Sequence, residues 1–108
     1  MRSFTLHDHE LADGRPPLFL PEIGTFFNQD IDTARRLVGE LREAGATVVK
    51  GEVLHDADIA LDDDTPETYL DVAGNAVTER YRDLIERKVV PLSDYELLYG
   101  ECTRQGLG

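Results

Sequence analysis

The sequence predicts an α/β fold in which a β-hairpin precedes a unit of two parallel strands joined by a helix. Three observations predict it. Residues 18–24, Leu-Phe-Leu-Pro-Glu-Ile-Gly, are apolar almost throughout, as strands buried on both faces are. A stretch with apolar residues at helical spacing follows them. A β-branched run, Ala46-Thr-Val-Val-Lys-Gly-Glu52, comes after that. Strand, helix and strand within about 30 residues is the signature of a right-handed βαβ unit.

Composition narrows the functional classes. The chain has 108 residues, enough for one small domain, and 41% of them are apolar, enough for a core. Its 22 acids against 11 bases give a formal net charge of −11. That balance argues against nucleic acid, where clustered Lys and Arg supply most of the affinity. The single Cys102 excludes an internal disulfide and a cysteine-based zinc site, which points to a reducing cytoplasm. The sequence shows no charged leader followed by an apolar run and no stretch of membrane-spanning length, so no membrane partner is expected.

In order, residues 3–9 alternate apolar with polar and predict a half-exposed strand. Asp13-Gly14 is a hairpin-turn signal, with the partner strand expected from Pro17, so residues 1–17 form a hairpin extension. His7 and His9 share one face of the first strand in this reading, but no third ligand is near, and a solvated face is the expectation. Asp30 is the expected N-cap of a helix with Asp32 in its first turn. Ile31, Ala34, Leu37, Val38, Leu41 and Ala44 form its apolar face, and Gly45 is the expected residue beyond its end.

Residues 53–64 form a long acidic connection, with Asp62-Asp63-Asp64 read as a solvated turn rather than a cation site. Thr65-Pro66-Glu67 reads as a helix start, with a helix running to about Lys88 and weakened at Gly74. Ser93 and Glu96 form a capping-box pattern for a last helix packed through Leu97, Leu98 and Cys102.

The chemistry concentrates at the strand ends. In a parallel unit the carboxyl ends of the strands share one edge, where ligands bind. Glu22, Lys50 and Glu52 are therefore expected at one mouth, with Lys50 and Glu52 on the same strand face. A lysine there suits an anionic substrate group, and an adjacent carboxylate can hold a hydroxyl or move a proton.

Pro21-Glu-Ile-Gly24, the helix ending Glu43-Ala-Gly-Ala46 and the strand Val48-Val-Lys50 resemble the start of the sialic acid synthase family. Hairpin, strand, helix, strand, long loop and final helix also follow that family's order. The resemblance covers nearly the whole chain but only the first part of the family's catalytic domain. It implies a (β/α)₈ TIM barrel, incomplete in this chain, with residues 18–108 supplying the first barrel strands and helices. It also implies condensation of phosphoenolpyruvate with an N-acyl mannosamine-type sugar, assisted in the complete enzyme by a divalent metal, manganese or magnesium. Glu22 then matches the glutamate that contacts the amino sugar near its reacting carbonyl. Lys50 matches the lysine that binds phosphoenolpyruvate, and Glu52 stands in place of a sugar-contacting glutamine. No metal ligand is implied within the chain, and His7, His9 and His55 do not match the family's histidines.

This sequence departs from the family at three places. Phe26 and Phe27 replace an Asn-His pair, Gln29 replaces a glycine, and Gly-Glu follows the lysine. Because a closed barrel needs about 250 residues, the expected partners are the barrel's remainder or further copies of the chain. The expectation for the 108 residues alone is no activity and no cofactor. Rival readings are a non-catalytic module that oligomerises, or part of another (β/α)₈ aldolase or lyase.

Overall fold

The structure, a computed structural model, describes residues 2–25 and 27–108. Phe26, one of the two phenylalanines that depart from the family pattern, lies outside the described residues. The protein is a mixed α/β molecule with three two-stranded sheets and three helices among the described residues.

A hairpin opens the chain, but not with the predicted turn. Strands β1 (Ser3–Leu6) and β2 (His9–Ala12) pair antiparallel, with Leu6 opposite His9, so His7 and Asp8 make the turn. Asp13-Gly14 is a second turn after β2. A partner strand starting at Pro17 fails for a physical reason: Pro16 and Pro17 have no N–H to give a ladder. His7 sits in the turn and His9 beyond it, so the two do not share a strand face.

The predicted strand over 18–24 contracts to β3 (Glu22–Gly24). Residues upstream belong to no strand, and Phe19 is 80% exposed. Pro21 again removes a donor, whereas Ile23 is buried. Gly24, at φ 49°, turns the chain out of the strand in a conformation that costs a residue with a Cβ.

Helix α1 (Ile31–Glu43) follows as the sequence predicts. Asp30 accepts hydrogen bonds from the Asp32 and Thr33 N–H groups, both at 3.1 Å, and from Thr33 Oγ1 at 2.9 Å. Ala44 is the C-cap, with Gly45 just beyond. Ala34 and Val38 are fully buried, and Ile31, Leu37 and Leu41 pack beside them.

Strand β4 (Lys50–Gly51) pairs parallel with β3, Glu22 opposite Lys50. Lys50 N–H donates to Pro21 C=O at 2.8 Å. The other side of the chain leading into β4 is paired too: Gly108 N–H donates to Thr47 C=O at 3.0 Å, and Val49 N–H donates to Gly108 C=O at 2.9 Å. One residue bonding two neighbours that lie two apart is the parallel-ladder pattern. The opening hairpin closes this end. His9 Nε2 lies 2.6 Å from Thr47 Oγ1, and His7 packs so tightly on Gly108 that a Cβ there would come within 2.6 Å of it.

The segment predicted as one helix over 65–88 is instead a hairpin and a short helix. Strands β5 (Pro66–Leu70) and β6 (Ala76–Arg80) pair antiparallel, and α2 (Tyr81–Glu86) follows. The Asp71 carboxylate accepts from the N–H groups of Ala73 and Asn75 at 2.9 and 2.8 Å, while Gly74 adopts φ 83°. The glycine that weakens a helix is thus the residue the turn requires. Once that turn is made, the segments on either side pair across it.

Helix α3 (Leu92–Arg104) packs against α1 and buries Leu98 and Glu101. Ser93 lies inside the helix and Pro91 is its N-cap, so the capping box is not made. Of the predicted packing residues, Leu98 is buried, Cys102 half-buried and Leu97 61% exposed. The main core joins Ile23, Phe27, Ala34, Val38, Val90, Leu98 and Leu107. A second cluster, Leu54, Ala57, Ala60 and Ile85, gives the acidic connection its own anchor. Tyr95 Oη reinforces it by accepting from Leu54 N–H at 2.9 Å and donating to Leu54 C=O at 3.2 Å.

Glu101 supplies a pH test of this packing. Its carboxylate accepts from Arg104 and from Gln105 Nε2, and Arg35 lies 3.6 Å away. Chiefly through Arg104, it is held down at about 2, from 4.5. A carboxyl depressed in the fold stabilises it above the unfolded value, and that contribution fades as pH falls from about 4.5 toward 2. Glu101→Gln should therefore lower the urea midpoint clearly near neutral pH and much less near pH 3. Equal losses at both pH values would contradict this assignment.

Candidate functional site

Glu22 and Lys50 meet because β3 and β4 are parallel and in register. Lys50 Nζ donates to Glu22 Oε2 at 2.7 Å. Both side chains remain open to solvent, at 48% for Lys50 and 41% for Glu22, so a ligand has access to them. The bond to Lys50 holds the Glu22 carboxyl below its ordinary value, and Glu52 contributes in the same direction. The bond to Glu22 likewise raises Lys50, helped by the charges of Glu22 and Glu52. All three residues expected at the mouth are thus within electrostatic reach of one another.

The arrangement has a definite chemical bias. An ammonium stabilised by an acid is a poor nucleophile, because nucleophilic lysines need a lowered pKa. It is a good anion anchor: one N–H is held by Glu22, which leaves two to donate. Glu22, kept ionised, accepts from a hydroxyl or amide of a neighbouring group.

The loop between β3 and α1 adds two polar groups, Asn28, which the sequence pattern does not single out, and Gln29, which it marks only as a departure from glycine. Asn28 and Gln29 have positive φ, 48° and 66°, the second and third of the three non-glycine residues to do so among those described. Lys88 Nζ donates to Asn28 Oδ1 at 3.1 Å, and Gln29 Nε2 donates to Val89 C=O at 2.7 Å. These contacts clamp the loop to the segment after α2. The signal that could have found them is the Asp71–Asn75 turn, since a helix through 88 places Lys88 elsewhere.

Other candidates resolve into structural roles. Asp62 pairs with Arg80 at 3.2 Å, and Asp63 accepts from Thr65 N–H at 2.9 Å, so the acidic run is a turn. Among the described residues, no group of three or more His, Cys, Asp or Glu is placed to hold a metal ion. Burial pushes the Cys102 thiol up, consistent with a packing role. An apolar recess of about 230 Å³ lies between β3, β4 and α3, lined by Ile23, Val49, Leu98 and Cys102 among others. Glu22 and Lys50 do not line it. No helix among the described residues is long and apolar enough to cross a membrane. Comparison with protein-family models and with curated proteins gives no match.

Proposed function

We propose that this chain is the amino-terminal part of a nonulosonic acid synthase of the sialic acid synthase type, built on a (β/α)₈ barrel. The observation that carries the reading is the Glu22–Lys50 bond across two parallel strands, with Glu52 beside it. Lys50 would anchor an anionic group of phosphoenolpyruvate. Glu22 would hold the N-acyl mannosamine-type sugar near its reacting carbonyl, and Glu52 would contact a sugar hydroxyl.

Two further observations support it. Gly108 bonds Thr47 and Val49 in the segment that leads into β4, and α1 packs on α3, as expected where a sheet grows strand by strand under a helix layer. Gln29, which stands where the resemblance expects glycine, adopts φ 66°, a conformation glycine takes without cost. The cationic state of Lys50 weighs against a Schiff-base aldolase. A divalent metal, manganese or magnesium, belongs to the proposal as a requirement of the complete barrel.

The test uses the longest reading frame that contains these residues. With manganese, phosphoenolpyruvate and an N-acyl mannosamine, it should release inorganic phosphate and form a nine-carbon sugar acid. Phosphate release should need both substrates. Release from phosphoenolpyruvate without a sugar, or none with any such sugar, would overturn the reading.

A further inference from the structure

We propose that the cavity between the β3–α1 loop and the end of α2 binds a small phosphomonoester, independently of the reaction proposed above. The cavity holds about 560 Å³ and is lined by Asn28, Gln29, Tyr69, Leu84, Arg87 and Lys88. Glu22 and Lys50 take no part in it. In a chain with 22 acids against 11 bases, its walls carry two cations and no acid.

Lys88 is the residue that calls for a ligand. It is half-buried, and taking a charge out of water is costly unless the charge is paired. The other half-buried lysine and arginine side chains among the described residues are Arg80 and Arg82, and both are paired. Arg80 meets Asp62 and Asp83, and Arg82 meets Asp58 and Glu86. Lys88 makes no ion pair among the described residues, and its Nζ donates to the neutral Asn28 Oδ1 at 3.1 Å. An anion in the cavity supplies that counter-charge.

The donors select the kind of anion. Asn28 holds one Lys88 N–H, which leaves two to donate. Because an ammonium can only donate, Asn28 turns its oxygen to Lys88 and keeps its Nδ2 amide for a ligand. Arg87 is neutralised by Glu79, yet its guanidinium keeps N–H groups beyond those that Glu79 takes. This set exceeds what a carboxylate's two oxygens accept and suits the three of a phosphomonoester. Tyr69 Oη is committed to Glu79 Oε1 at 2.9 Å, so the Tyr69 ring and Leu84 serve as apolar wall for the ester's body. The loop is fixed in advance: Asn28 and Gln29 hold positive φ, and Gln29 Nε2 donates to Val89 C=O at 2.7 Å. Backbone strain of this kind recurs at ligand clamps, and a fixed loop lowers the cost of binding. The net charge of −11 repels polyanions, which confines the ligand to a small one.

Titration of the 108-residue chain with phenyl phosphate, a monoester with a flat apolar body, tests the proposal by nitrogen-15 NMR. The amide resonances of residues 28–29 and 84–88 should shift and saturate, a reading that needs no variant. Lys88→Met should weaken this binding by about tenfold or more, whereas Arg36→Ala, on α1, should leave it unchanged. Inorganic phosphate should shift the same resonances with lower affinity, for want of the body that Tyr69 and Leu84 receive. Absence of shifts at these residues, shifts confined to the neighbourhood of Glu22 and Lys50, or binding that Lys88→Met leaves intact would overturn it.

Discussion

Phe27→Ala should destabilise the protein by about 3–5 kcal/mol, the loss typical of removing a buried phenylalanine. Phe27 is 3% exposed and packs in the main core with Ile23, Ala34 and Val38. Domains of this size are stable by only about 5–15 kcal/mol, so the loss would be a large part of the total. Phe19→Ala, at a residue 80% exposed, should change stability by no more than about 0.5 kcal/mol. Urea midpoints of the two variants measure the contrast. It inverts the expectation from sequence, in which Phe19 lies in a buried strand and Phe27 alters the mouth of the site. A Phe19→Ala variant as damaged as Phe27→Ala would contradict this fold.

The contrast also shows where sequence patterns inform and where they do not. Helix α1 was legible in full, because its cap, its apolar stripe and its terminal glycine all signal one helix. The pairing of Glu22 with Lys50 was legible as well, because a parallel strand pair fixes which strand ends meet. The strands around them were less so. Apolar content marks residues 18–20 as buried, yet Pro16, Pro17 and Pro21 flank them without an N–H to give, and no ladder forms there.

Residues 65–88 failed for another reason. Thr-Pro-Glu suits a helix start as well as a strand entry, and the spacing of Tyr69, Leu70, Ala73 and Val77 fits a helix. The Asp71 carboxylate decides the matter by capturing two backbone N–H groups, and Gly74 completes the turn. The hairpin turn at His7-Asp8 was hidden because His7, which takes the positive φ of 50°, is not a residue that signals one, while Asp13-Gly14 nearby does. Tertiary clamps such as Gln29 to Val89 span 60 residues and leave no local pattern.

In the proposed function Lys50 anchors the anionic substrate. Glu22 keeps its ammonium charged, and half of its side chain is open to solvent. Removing a preorganised cation of this kind costs transition-state stabilisation, in comparable sites about 10²–10³ in rate. The side chain carries little of the core, so the fold should survive its loss. Arg36→Ala, which removes an exposed cation on α1, serves as the control. The decisive measurement is kcat/KM for phosphoenolpyruvate in the longest reading frame, with Lys50→Ala compared to wild type and to Arg36→Ala. A fall of about 10²-fold or more in Lys50→Ala alone is the predicted result. Unchanged kcat/KM in a folded Lys50→Ala variant would contradict the claim.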